Sequence, residues 1–79
     1  MKLVIAKLDH VYFDGVAKSV TAPGSDGELT VLGEHEPLIT TLKPGVVTVR
    51  AEHLPGGEQF FEIQGGVLEV RRDGATIIL

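Results

Sequence analysis

The sequence contains no cysteine and no tryptophan, and among its 79 residues only Tyr12, Phe13, Phe60 and Phe61 are aromatic. The missing thiol excludes disulfides and thiolate metal sites outright. A fold this small therefore depends on its core, and on any partner surface, without a covalent staple. With so few aromatics that core must be filled by Val, Ile and Leu. Basic residues are scarce too. Seven Lys and Arg stand against eleven Asp and Glu, the formal net charge is -4, and Arg71-Arg72 is the only adjacent basic pair. No nucleic-acid partner is expected, because a surface that tracks phosphates needs a basic stripe.

Long apolar runs are also absent. None approaches the roughly 20 residues that a bilayer-spanning helix needs, so direct membrane insertion is not expected. Met1 to Ala6 starts like a signal peptide, but Lys7 and Asp9 cut the apolar region short. No window repeats apolar residues with helical spacing, and Gly or Pro interrupts the chain about every ten residues. These absences predict one soluble intracellular domain, residues 1–79, or a soluble part of something larger.

What is present is strand and turn. Apolar or alternating segments run over Lys2–Leu8, Val16–Ala22, Glu28–Leu32, Leu38–Leu42, Val46–Glu52, Glu58–Gln64, Val67–Arg72 and Ala75–Leu79. Phe13-Asp14-Gly15, Pro23–Gly27 and Gly33–Pro37 read as turns or loops between them. Lys43-Pro44-Gly45-Val46 has the type II turn pattern, and Asp73-Gly74 the type I′ pattern, each calling for φ > 0. Pro55-Gly56-Gly57, Gly65-Gly66 and Asp73-Gly74 read as hairpin connections, which makes the last four strands an antiparallel meander. Eight or nine short strands at this spacing predict an all-β sandwich or a flattened barrel.

The chemistry-bearing residues concentrate in Asp26–Val47. Glu34-His35-Glu36, with His10 and His53, is a candidate metal set. Adjacent residues of an extended segment point in opposite directions, however, and the plainer reading is a solvated loop whose histidine caps a turn or touches a partner. Pro23–Gly27 is rich in glycine like a phosphate cradle, yet Glu28 and a strand follow it where a helix N-terminus is needed. Ser19 and Ser25 lie in no nucleophile motif. Lys43 lacks the local motif of a biotinyl or lipoyl swinging arm. No cofactor is expected, and binding remains: Gly27-Glu28 and Gly33 to Leu38 could present Glu28, Glu34, His35, Glu36 and Leu38 together at one end or edge of the sandwich.

Four segments resemble one family in order and with family-like spacing over essentially the whole chain. They are Pro23-Gly24-Ser25-Asp26-Gly27-Glu28-Leu29, His35-Glu36-Pro37-Leu38-Ile39-Thr40, Lys43-Pro44-Gly45, and Phe61 to Val70, and Phe13-Asp14-Gly15 fits as well. The family is the epsilon subunit of the proton-translocating ATP synthase, in its N-terminal β-sandwich. The resemblance implies a flattened antiparallel sandwich of two five-stranded sheets. It also implies a non-catalytic rotor subunit on the cytoplasmic face of a bacterial inner membrane. Such a subunit packs on the gamma subunit, sits on the c-subunit ring and couples proton-driven rotation to ATP synthesis. Carried over residue by residue, the edge that meets the c ring maps to Glu28, Gly33, His35, Pro37 and Leu38, while the gamma-facing residues are not assignable. Typical members continue into a helical hairpin beyond the strand matching Ala75–Leu79, and the sequence leaves open a naturally short form or a piece of a longer one. The alternative function is an unrelated β-sandwich adaptor that uses the same loops on another protein.

Overall fold

Short apolar segments, punctuated by glycine and proline, fold here into nine strands, and the computed structural model describes all of residues 1–79. In chain order they are β1 (Lys2–Lys7), β2 (His10–Val16), β3 (Ser19–Gly24), β4 (Gly27–Leu32), β5 (Leu38–Leu42), β6 (Gly45–Arg50), β7 (Glu58–Ile63), β8 (Gly66–Arg71) and β9 (Gly74–Ile78). The only helical piece is a 3₁₀ turn at Pro55–Gly57. The all-β expectation holds.

Hydrogen bonds join the strands in the order β2-β1-β9-β8-β5-β3-β6-β7, with β4 on the other side of β3. This one sheet curls into two layers. Leu3, Ile5, Leu68, Val70, Ala75 and Ile77 face inward from the first layer, β2-β1-β9-β8-β5. Val20, Ala22, Val31, Val47 and Val49 meet them from the second, β4-β3-β6-β7. β5 belongs to both. It ladders with β8 from Leu38 to Leu42, and Leu42 also bridges Gly24 of β3. Counted in each layer, it brings both to the expected five strands. On the side away from β5, Phe13 of β2 meets Phe61 of β7 edge-to-face with ring centroids 6.4 Å apart. Such pairs contribute about 0.5–1.5 kcal/mol beyond the area they bury.

Several local expectations are corrected. Pairing is antiparallel except between β1 and β9, which lie parallel so that the first and last strands are neighbours at the middle of one layer. Phe13-Asp14-Gly15 is not a turn but the body of β2, a strand the sequence hides because most of it is exposed. Gly15 lies beside the Phe13 ring, where a Cβ would make an ordinary contact at 3.7 Å. Pro23 and Gly24 end β3 rather than open a loop, leaving Ser25-Asp26 as a two-residue hairpin tip.

Glycine placement explains the remaining differences. The β8–β9 turn is Arg72-Asp73, without positive φ at either, and Gly74 already pairs with Arg71. Gly74 is glycine because a Cβ there would collide with the Lys2 carbonyl of β1. Gly45 has no positive φ, so no type II turn forms; its Cβ would stand 3.0 Å from the Pro23 ring instead. Gly65-Gly66 joins no hairpin, since β7 pairs with β6 while β8 pairs with β5 and β9. It carries the chain from one layer to the other with φ of 140° and 155°.

A Cβ on Gly66 would lie 2.6 Å from the Ile78 carbonyl oxygen, and its φ is unfavourable for other residues. Gly66→Ala is expected to destabilise the fold by roughly 1–3 kcal/mol. Gly33→Ala, where a Cβ meets nothing within 4 Å, should stay within about 0.5 kcal/mol of the parent. Thermal unfolding compares them, and equal midpoints would mean the crossover tolerates a side chain.

Candidate functional site

β4 is an edge strand, paired only with β3, and its alternation decides what it offers to solvent. Val31 is buried and Leu29 packs against the core, so Glu28, Thr30 and Leu32 face outward and are exposed. Pairing of Gly24 with Gly27 closes the preceding hairpin, with φ of 130° at Gly27. The Thr30 hydroxyl lies 2.9 Å from that of Thr21 on β3, which ties the edge strand down on its outer face. Beyond Leu32 the chain crosses to the first layer through Gly33–Pro37 and re-enters a strand at Leu38.

That crossing loop is held by few contacts. Glu34 adopts φ of 63°, the only non-glycine residue with positive φ. His35 donates from Nδ1 to the Glu36 carbonyl at 2.8 Å. Pro37 supplies no backbone donor, and the next residue, Leu38, pairs with Val70. Glu34, His35, Glu36 and Pro37, with Arg72 from the β8–β9 turn, line an open hollow of about 290 Å³. The structure's ion pairs involve only Arg50 with Glu58, and Arg71 with Glu69 and Asp73. The carboxylates of Glu28, Glu34 and Glu36 therefore stand unpaired along this rim.

The residues singled out by sequence lie along one edge but do not gather at one point. Glu28 stands next to the hairpin tip, whereas His35 lies beyond the opposite end of β4. The extended backbone from Glu28 to Leu32 alone covers about 13 Å. Gly33 and Pro37 are exposed, His35 is half-buried, and Leu38 packs partly against the core. Leu38 thus anchors the loop as well as bordering it. Thr30 and Leu32 complete the outward row, and the opposite alternation of Leu29 and Val31 already signalled them. Arg72 joins the loop only through tertiary folding, which no local pattern encodes.

The other candidates disperse. His10 opens β2 and meets Tyr12 edge-to-face with ring centroids 4.4 Å apart, near the end of the sandwich opposite to His35. His53 is exposed between β6 and β7, and no three His, Asp or Glu side chains converge on a common point. Ser19 is buried on β3 between β4 and β6, and the Ser25 hydroxyl is engaged with Thr41 Oγ1 at 2.7 Å. Lys43 donates its backbone N–H to the Pro23 carbonyl at 2.9 Å, so the segment before Pro44-Gly45 is a braced corner.

The left-handed backbone at Glu34 costs a residue with a Cβ on the order of 1–2 kcal/mol relative to glycine. Glycine at the same place also gains freedom in the unfolded chain, which offsets part of that advantage. Glu34→Gly is expected to leave stability equal or higher by up to about 1 kcal/mol, and Glu34→Val to lower it by about 1–3 kcal/mol. Chemical denaturation of the two variants checks this, and a more stable valine variant would show that the loop relaxes out of this conformation.

Comparison with known proteins gives the fold a family. The ATP synthase delta/epsilon chain beta-sandwich domain matches residues 1–79. ATP synthase epsilon chain 2 of Burkholderia orbicola is 42% identical over 78 residues, covering 99% of this chain and 51% of that relative. The chain thus spans about half the length of this curated relative. Among solved structures, a chain of the Euglena gracilis mitochondrial ATP synthase OSCP/F1/c-ring assembly superposes with a TM-score of 0.87. The two are 26% identical, covering 99% of this chain and 49% of the other. A chain of the Tetrahymena thermophila mitochondrial ATP synthase central stalk and c-ring shares the fold, with a TM-score of 0.75 at 21% identity over 98% of this chain and 60% of its own. With its whole length accounted for by that one sandwich domain, the chain belongs to the ATP synthase delta/epsilon family.

Proposed function

We propose that this sandwich is a non-catalytic rotor component of an ATP synthase, linking the gamma subunit to the c-subunit ring and coupling proton-driven rotation to ATP synthesis. The observation that carries this is the match of the family's sandwich domain to residues 1–79. The superposition on a chain of an F1/c-ring assembly supports it. In this reading the protein is peripheral to the membrane, on the cytoplasmic face in a bacterium. No helix is long and apolar enough to cross a bilayer.

The rim formed by β4 and the loop that follows is the surface assigned to the c ring. Its groups are Glu28 on the strand, Gly33, His35 and Pro37 in the loop, and Leu38 where the loop ends. Glu28, Glu34 and Glu36 give the rim unpaired negative charge, suited to the polar loops of a ring. Charges placed at an interface rim contribute orientation and encounter rate more than affinity. A spread of such groups over both ends of β4 resists tilting of the sandwich on the ring better than a single cluster does.

Glu28→Ala combined with His35→Ala tests this in the assembled enzyme; Leu38 is left intact because it also packs on the core. Each exposed contact contributes about 0.2–1 kcal/mol, so the single changes are expected to have small effects. The pair should lower retention of the c ring during purification and reduce ATP synthesis driven by an imposed proton gradient in vesicles. Hydrolysis by the detached catalytic head should stay unchanged. Full coupling in the double variant would remove this rim from the c-ring interface.

A further inference from the structure

The side of the sandwich opposite the β4 rim is open. β2 ends one layer there and β7 ends the other, and each has a neighbour on one side only. β2 carries a register shift opposite Ile5/Ala6, a distortion that discourages another strand from pairing. β7, with sequence EQFFEI, has no proline, no lysine and no register shift along six residues paired to β6. Its side chains divide by alternation. Glu58, Phe60 and Glu62 lie on the outer face, with Phe60 63% exposed. Phe61 and Ile63 turn inward, beside a cleft of about 610 Å³ that Tyr12 and Leu79 also line. An unprotected edge, an exposed aromatic and an adjoining cleft of mixed lining, with Lys7 and Glu62 beside the apolar groups, coincide on one strand.

We propose that the free edge of β7 receives an extended segment of a partner protein, which adds as a further strand with alternating basic and apolar side chains. The alternation follows from the pleat. Outward positions of the incoming strand lie beside Phe60 and Glu62, whose carboxylate has no ion-pair partner, and favour Lys or Arg; Glu58 is already paired with Arg50 at 2.9 Å. Inward positions face Phe61, Tyr12 and Leu79 and favour Val, Leu or Phe. Charge also disfavours a second copy of this chain, because edge-to-edge pairing of two β7 strands brings the unpaired Glu62 of each onto one outer stretch and supplies no new cation to it. This surface is distinct from the β4 rim, and the proposal stands or falls independently of the assignment of that rim.

The test is a titration of the isotope-labelled 79-residue chain with the capped peptide Lys-Val-Lys-Val-Lys-Val, followed by NMR. Expected are shifts confined to Gln59–Ile63 and the cleft residues, with slowed hydrogen exchange at alternate β7 amides. Glu62→Lys should weaken binding at least about fivefold, as loss and reversal of one partly exposed charge contact allows. The capped peptide Glu-Val-Glu-Val-Glu-Val should bind more weakly than the basic one. Shifts centred on the outer face of β8 and β9, equal binding of both peptides, or no alternate protection would each overturn the proposal. Concentration-dependent self-association that protects the same β7 amides would overturn it in favour of a second copy.

Discussion

The constraint on which the rest of this structure depends is the corner at Lys43-Pro44. One extended stretch leaves the first layer as β5 and enters the second as β6, so the two layers cannot slide apart. Three contacts lock the bend. Lys43 donates to the Pro23 carbonyl at 2.9 Å, Ser25 donates its N–H to the Thr41 carbonyl at 3.0 Å, and Gly45 passes against the Pro23 ring. The β3–β4 hairpin tip is therefore stapled to the β5–β6 corner by backbone hydrogen bonds rather than by a disulfide. The rim for which a c-ring role is proposed hangs between these two fixed points.

The core that this corner encloses is thin and built from small pieces. Ala17, Ala22 and Ala75 are buried among Val, Leu and Ile, which brings the layers close without large aromatics. Phe13 and Phe61 supply bulk only at the open side, where no strand crosses between layers. Side chains are stiff where β-branched, so a core of this kind limits rotamer freedom, as the proposed rotor role would require. The open side is correspondingly the place where the sandwich can yield or accept a neighbour.

What the sequence made legible follows from how each feature is encoded. The all-β character, the positions of β4 and β5, and the outward set on β4 are local properties of alternation and of Gly and Pro spacing. β2 was not legible, because a mostly exposed edge strand that carries Asp14-Gly15 in its body imitates a turn. Glycines misled where their role is close approach rather than positive φ. Gly45 against Pro23 and Gly74 against Lys2 depend on neighbours distant in sequence. Family resemblance suggests the c-ring role proposed for the rim, but the separation of Glu28 from His35 emerged only with the length and direction of β4.

That separation changes what kind of contact the rim can make. A metal requires three or more donors converging within a few ångströms, and no such group of side chains forms at the loop. A partner surface requires the reverse: weakly interacting groups spread over a rigid line, each contributing little and together fixing an orientation. β4 provides the line, since Thr21 and Thr30 tie its outer face and Leu29 and Val31 seat its inner one. The strained Glu34 and the His35–Glu36 hydrogen bond shape the loop at its far end. A groove between layers would hold one group tightly, whereas an edge of this length resists rotation about its contacts. Resistance to rotation, rather than tight capture, is what the proposed place on a turning ring would require of this edge.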